Sequence, residues 1–126
     1  MKKQDSTNAI RIRAEKTQYN EHTTPMYLTS SFTFDNVEDM RSAFAGETDI
    51  NIYSRFVNPN YSELIDKMCA LEGTEAGFAT ATGMAAVHAS IVSIVGNGDH
   101  IVACRSVFGS THTMLTNILP RFGITY

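Results

Sequence analysis

The chain has 126 residues, 43% of them hydrophobic and 18% charged, with a formal net charge of −3. That is enough chain for one packed core, and an acidic balance with no basic stripe argues against a nucleic-acid partner. No apolar run reaches the ~20 residues of a membrane span, and residues 1–8 lack the apolar stretch of a signal peptide, so a cytoplasmic location is expected. Cys69 falls in a helical pattern and Cys104 at a strand end, neither in CxxC spacing. They read as two buried free thiols. His22, His88, His100 and His112 form no HxxxH or HExxH pair, so no metal centre is expected.

Residues 1–21 are polar and mixed in charge. Residues 8–16 could form a short helix but lack a clean apolar face, so an arm that packs on a partner subunit is the better reading. Residues 22–34 are rich in Thr and aromatics, and Pro25 cannot donate to a ladder, which implies extended chain outside a central strand. Asp35 then offers a cap with Glu38 in capping-box spacing, and Val37, Met40, Ala43 and Phe44 recur at helical intervals. Gly46 suits the C′ position. Residues 47–60 form a connection longer than the usual link, which favours a functional role.

Asn60 and Glu63 make a second capping box, with Tyr61, Leu64, Ile65, Met68 and Leu71 on one face and Gly73 closing the helix. Residues 76–79 read as a buried strand and residues 85–95 as a buried helix. Residues 96–99 are a turn. Residues 100–104 read as a strand, 105–110 as a loop at its carboxyl end, and 111–119 as a helix closed by Pro120. Residues 122–126 begin another strand. Strands alternating with helices over short links predict a parallel α/β sheet with right-handed crossovers. The sequence stops inside a strand-like run, so a truncated chain is expected.

Ligands of such sheets bind outside the carboxyl ends of the strands. Two loops occupy that place. Residues 80–84 are small and lead into a helix, where unpaired N–H groups and the positive end of the dipole favour an anion. Residues 106–111 put Phe108 forward as a flat apolar plate. A phosphate cradle beside an aromatic plate suits pyridoxal 5′-phosphate or a nucleotide. GxxxxGK[ST] and GxGxxG are both absent, which weakens the nucleotide reading. Tyr53 and Arg55 stand two apart; in extended chain both would face one way and could reach one phosphate, Arg55 with a bidentate fork.

Six stretches together carry a resemblance: Pro25-Met26-Tyr27-Leu28-Thr29-Ser30-Ser31-Phe32, Tyr53-Ser54-Arg55-Phe56-Val57-Asn58-Pro59, Leu71-Glu72-Gly73-Thr74-Glu75-Ala76, Ala81-Thr82-Gly83-Met84-Ala85-Ala86, Gly98-Asp99-His100-Ile101-Val102 and Leu119-Pro120-Arg121-Phe122-Gly123-Ile124. In that order the chain resembles the N-terminal part of the Cys/Met-metabolism (trans-sulfuration) family of pyridoxal-phosphate-dependent enzymes. The resemblance implies an aspartate-aminotransferase-like fold (fold type I). Residues 1–52 would be the N-terminal arm and first helix, and residues 53–126 the start of the PLP-binding α/β domain. It implies that Gly83 and Met84 bind the cofactor phosphate through backbone N–H groups and that Phe108 stacks on the pyridine. It also implies that Tyr53 and Arg55 bind the phosphate of the neighbouring subunit's cofactor, in a homodimer or homotetramer.

Many family members have tyrosine where Phe108 stands. Phe108 can stack but cannot move a proton. Lys2, Lys3, Lys16 and Lys67 do not match the family's Schiff-base motif, so the catalytic lysine is expected beyond Tyr126. Around Glu21-His22 and residues 106–112 the likeness is to the branch that replaces the succinate group of O-succinylhomoserine with sulfide. Cystathionine γ-synthesis and methionine γ-elimination are the alternatives within the family. A non-catalytic interaction module is the alternative outside it.

Overall fold

The computed structural model describes residues 3–126. Met1 and Lys2, the start of the expected arm, lie outside the described residues. The chain divides into two compact units, Met1–Ala79 and Thr80–Tyr126. The division falls after Ala79, whereas the sequence reading placed its boundary between residues 52 and 53.

The first unit opens with α1 (Lys3–Arg11), in the segment read as an arm. Its helix starts five residues earlier than the possible helix over 8–16 and packs against α3 (Pro59–Glu72). That contact supplies the stabilisation that α1 lacks in its own sequence. Residues 22–34 form no helix and no ladder: they bend at residues 22, 23 and 30, Leu28 N–H turns back to Met26 O at 3.2 Å, and one antiparallel bridge joins Ser31 to Tyr53. Next comes α2 (Val37–Phe44). Its cap is Asn36, not Asp35: Asn36 is extended at φ −150° and its side chain accepts from the Asp39 N–H at 2.8 Å. Two neighbouring residues could cap equally well by type, and backbone conformation chooses between them. Gly46 is left-handed at φ +69°, as a C′ residue should be.

The start of α3 differs in the same way. Asn58 caps it, with Pro59 in the first turn, where a missing N–H is harmless. Glu63 therefore closes no capping box. Its carboxylate instead accepts from Lys67 Nζ, from the Thr24 hydroxyl and from the Ala14 N–H. Lys67 is correspondingly not a solvated charge, since its side chain is 25% exposed. Gly73 ends the helix in the left-handed region.

Residues 76–79 form no ladder, and Phe78 is 77% exposed, so the expected buried strand is absent. A strand's N–H and C=O groups are satisfied only by neighbouring strands. An apolar run cannot by itself supply that neighbour.

The second unit begins with α4 (Gly83–Val92), capped by Thr82, whose hydroxyl accepts from the Ala85 N–H at 3.1 Å. The helix was expected to be buried, but no residue in it is; Val92 is exposed, and only one stripe, Val87 and Ile91, packs inward. They meet a small core of Met114, Leu115, Leu119 and Ile124. The expected helix over 111–119 is α5 (Gly109–Thr113), which runs on as a π-helical turn (Met114–Ile118) and a 3₁₀ turn (Leu119–Phe122). Pro120 lies inside that last turn, and Gly123, at φ +74°, ends it. A Cβ on Gly123 would stand 2.1 Å from Asn97 Oδ1, so both space and conformation demand glycine.

Beyond Gly123 a parallel bridge pairs His100 with Thr125, with Ile101 N–H donating to Thr125 O at 2.8 Å and Thr125 N–H to Asp99 O at 3.0 Å. The strands expected over 100–104 and 122–126 are reduced to this one bridge, because no further neighbour supplies a ladder; what remains of the predicted alternation is a parallel pairing joined through α5 and the turns after it. Cys104 is exposed and not buried, while Cys69 is partly buried. Among the described residues no helix is long and apolar enough to cross a membrane.

Candidate functional site

The loop into α4 leaves backbone donors open. Thr80's hydroxyl donates to Thr82 O at 2.8 Å, which tightens the turn. Thr82 takes up the Ala85 N–H with its side chain and the Ala86 N–H with its carbonyl. The N–H groups of Gly83 and Met84 find no acceptor among the described residues. They are the first two donors of a helix, whose unpaired N–H groups and dipole attract negative charge. Nothing within 4 Å would meet a Cβ on Gly83, so the approach to these donors is open. A phosphate group fits this arrangement in charge and in donor chemistry.

Phe108 precedes α5 at φ −59°, ψ 143°, and the residue is 75% exposed. Its carbonyl accepts from the His112 N–H at 3.0 Å, which anchors the backbone under the ring. A cavity of about 600 Å³ lies between α4 and α5, lined by Met84, His88, Phe108, Gly109, Ser110 and their neighbours. Two of the residues singled out in the sequence, Met84 and Phe108, are thus brought to one cavity. The Thr111 hydroxyl approaches Met84 Sδ at 4.0 Å and ties the two loops together. His88 and Thr82 were missed by the sequence reading. His88 stands four residues after Met84 on the same helix, which places both on one face. Thr82, a residue that caps well, directly precedes the helix.

Tyr53 and Arg55 belong to the first unit. The segment holding them is not extended: Phe56 and Val57 N–H groups both turn back to Tyr53 O, at 2.8 and 3.0 Å. The alternation argument for a shared direction therefore does not apply. The turn achieves a meeting by another route. The Arg55 guanidinium carbon lies 5.6 Å from the Tyr53 ring centroid and 4.9 Å from that of Phe56, a double cation–π contact. Stacking of this kind holds the planar fork by its face and leaves its N–H edges available.

The turn is pinned from below. Ser54 N–H donates to Ser30 O at 2.8 Å and its hydroxyl to Thr29 O. Asn58 is 7% exposed; it donates to Tyr27 O at 3.2 Å and to Ser54 Oγ at 3.0 Å, and accepts from Asn60 N–H at 2.9 Å. Asn58 is thus both helix cap and anchor of the Tyr53–Arg55 turn, a role signalled in the sequence only by the Asn-Pro pair.

Among the described residues no group of three or more His, Cys, Asp and Glu could hold a metal ion. The Cys104 thiol is lowered from its usual value by the backbone and then the side chain of Ser106. Burial raises Tyr61, whose hydroxyl has no partner among the described residues.

A helix N-terminus with open donors and an aromatic-lined cavity thus lie together in the second unit. The Cys/Met metabolism PLP-dependent enzyme family matches residues 6–126, and the chain belongs to that family. It is 41% identical over 118 residues to an O-succinylhomoserine sulfhydrylase of Pseudomonas aeruginosa, covering 94% of this chain and 29% of that one. It is 39% identical over 130 residues to an L-methionine gamma-lyase of Porphyromonas gingivalis, covering 98% of this chain and 33% of that one. A solved structure from Campylobacter jejuni, described as an O-acetylhomoserine (thiol)-lyase with a pyridoxyl-lysine phosphate, superposes with a TM-score of 0.91 at 26% identity, over 96% of this chain and 30% of that one.

The chain spans about three-tenths of the length of the curated relatives it matches. Its fold is the N-terminal arm and the first part of the large PLP-binding domain of fold type I, and its family's cofactor is pyridoxal 5′-phosphate.

Proposed function

We propose that the protein to which these residues belong carries out γ-replacement on an O-acylhomoserine: O-succinylhomoserine and hydrogen sulfide give homocysteine and succinate. The observation that carries this reading is the 41% identity to an O-succinylhomoserine sulfhydrylase across 94% of the chain. In this reading the Gly83 and Met84 N–H groups hold the cofactor phosphate and Phe108 packs on the ring. Bound pyridoxal 5′-phosphate supplies an electron sink for carbanion character beside the substrate's amino group. Tyr53 and Arg55 serve the phosphate of the neighbouring subunit, in a homodimer or homotetramer in the cytoplasm. Phe108 carries no hydroxyl, so the proton transfers fall to groups other than this side chain. Lys67 is engaged with Glu63 and is assigned no covalent role; in this reading the lysine that forms the Schiff base lies beyond Tyr126.

The 39% identity to a methionine gamma-lyase supports a second reading, γ-elimination. One assay separates them. The purified protein at its native length, loaded with cofactor, is given O-succinylhomoserine with sulfide, and separately methionine alone. Succinate and homocysteine in the first tube are expected. A 2-oxo acid and a thiol from methionine, without succinate release, would replace the first reading by the second. Cysteine offered in competition with sulfide tests cystathionine γ-synthesis.

A further inference from the structure

A charged cavity lies in the first unit, and none of Tyr53, Arg55, Gly83, Met84 and Phe108 lines it. It has a volume of about 140 Å³ and is lined by Ile10, Arg11, Arg13, His22, Glu63 and Lys67, with Thr23 and Thr24. The end of α1 supplies Ile10 and Arg11, the link that follows it supplies Arg13, the segment after that link supplies His22, Thr23 and Thr24, and α3 supplies Glu63 and Lys67.

The charges in it do not cancel. Glu63 is fully occupied: Lys67, the Thr24 hydroxyl and the Ala14 N–H all donate to its carboxylate. The Lys67 bond first, then Thr24, hold it at about 2, so it stays ionised and is matched by Lys67. Arg11 and Arg13 remain, and neither pairs with a carboxylate among the described residues. Arg13 is half-buried, and its Nη1 donates to His22 O, which orients the guanidinium while leaving most of its fork unused. A partly desolvated, oriented guanidinium beside a second one is a strong receptor for oxyanions, which accept two parallel N–H bonds from each fork. At ~30 Å³ per water, the cavity holds on the order of four to five waters, room for an ion of five to eight heavy atoms.

We propose that this cavity binds a small doubly charged oxyanion, an inorganic phosphate or a short dicarboxylate, held by Arg11 and Arg13. Two guanidiniums match two negative charges, and the occupied Glu63 does not compete with the ligand for either.

The test is a titration of the protein at its native length, followed by melting temperature and by calorimetry. Pyridoxal 5′-phosphate is kept saturating so that the loop at Gly83 and Met84 is not the site measured. Sodium phosphate and sodium succinate are the two arms, and sodium chloride at matched ionic strength is the reference. A saturable rise in melting temperature with one or both anions, beyond that with chloride, is expected; the stronger arm identifies the ligand class. Arg11→Gln and Arg13→Gln should each raise the dissociation constant at least tenfold. Arg13→Gln also removes the bond to His22, so Arg11→Gln, which breaks no side-chain hydrogen bond among the described residues, is the deciding variant. A response no larger than that to chloride, or an Arg11→Gln protein with unchanged affinity, would overturn the proposal.

Discussion

Asn58→Ala probes the link between the helix start and the Tyr53–Arg55 turn. Asn58 is 7% exposed and its side chain makes three hydrogen bonds, to Asn60 N–H, Tyr27 O and Ser54 Oγ. Loss of an N-cap removes about 1 kcal/mol. Each of the other two bonds contributes roughly 1 kcal/mol net, and more where the abandoned partner stays dry. The expected loss is therefore about 3 kcal/mol. Asn58→Ser keeps a cap oxygen but cannot reach Tyr27 or Ser54, so it should lose about 2 kcal/mol. Asn58→Asp keeps the cap but turns a donor into an acceptor against the Tyr27 carbonyl, so it should be no better than serine. The assay is urea unfolding of the protein at its native length, paired with retention of pyridoxal 5′-phosphate after dialysis. A loss below about 0.5 kcal/mol for Asn58→Ala, the range of an ordinary surface change, would refute the idea that Asn58 anchors the turn. Equal losses for Ala and Ser would show that the cap contributes nothing.

Arg55→Lys keeps the charge but gives up the planar fork and its stacking on Tyr53 and Phe56. Cofactor retention should weaken, and mixed dimers with a wild-type subunit should recover part of it; unchanged affinity removes Arg55 from the site. Glu63 lies at about 2 in the folded protein, below its ordinary value of 4.5. A depressed carboxylate stabilises the fold above its unfolded value and loses that contribution as pH falls toward the folded one. Melting temperature should therefore drop between about pH 5 and pH 2, and Glu63→Gln should lower stability at pH 7 while flattening that drop. An equally steep acid limb in the variant would assign the effect to other groups.

The first helix shows why local reading fell short there. Residues 3–11 carry no clean apolar face, and their helix is supported by α3, a partner 48 residues further along from its last residue to the first of α3. The two misplaced caps have a more local cause. Asp35 and Asn36 are both able to cap, and so are Asn58 and Asn60. The choice rests on which one adopts extended φ and ψ, although Pro59 at the first helical position did point to Asn58. The strand expected over 76–79 failed for a different reason, because pairing depends on chain that is distant in sequence. In the candidate site, the open donors at Gly83 and Met84 were legible because small residues before a helix expose their N–H groups whatever surrounds them. The turn at residues 53–56 was not, because its stacking replaces alternation as the means of bringing Tyr53 and Arg55 together.

The sequence by itself determined the family, the helices α2 to α4 and the glycines that close the first two of them, because periodicity, capping chemistry and left-handed positions act within a few residues. It also determined that residues 80–84 present open N–H donors, which follows from a helix starting there. Only the tertiary structure decided that Met84 and Phe108 line one cavity, that Asn58 supports the turn holding Arg55, and that Glu63 is occupied while Arg11 and Arg13 pair with no carboxylate among the described residues. Each of those depends on side chains from separate segments meeting in space, and no local rule of spacing contains that information.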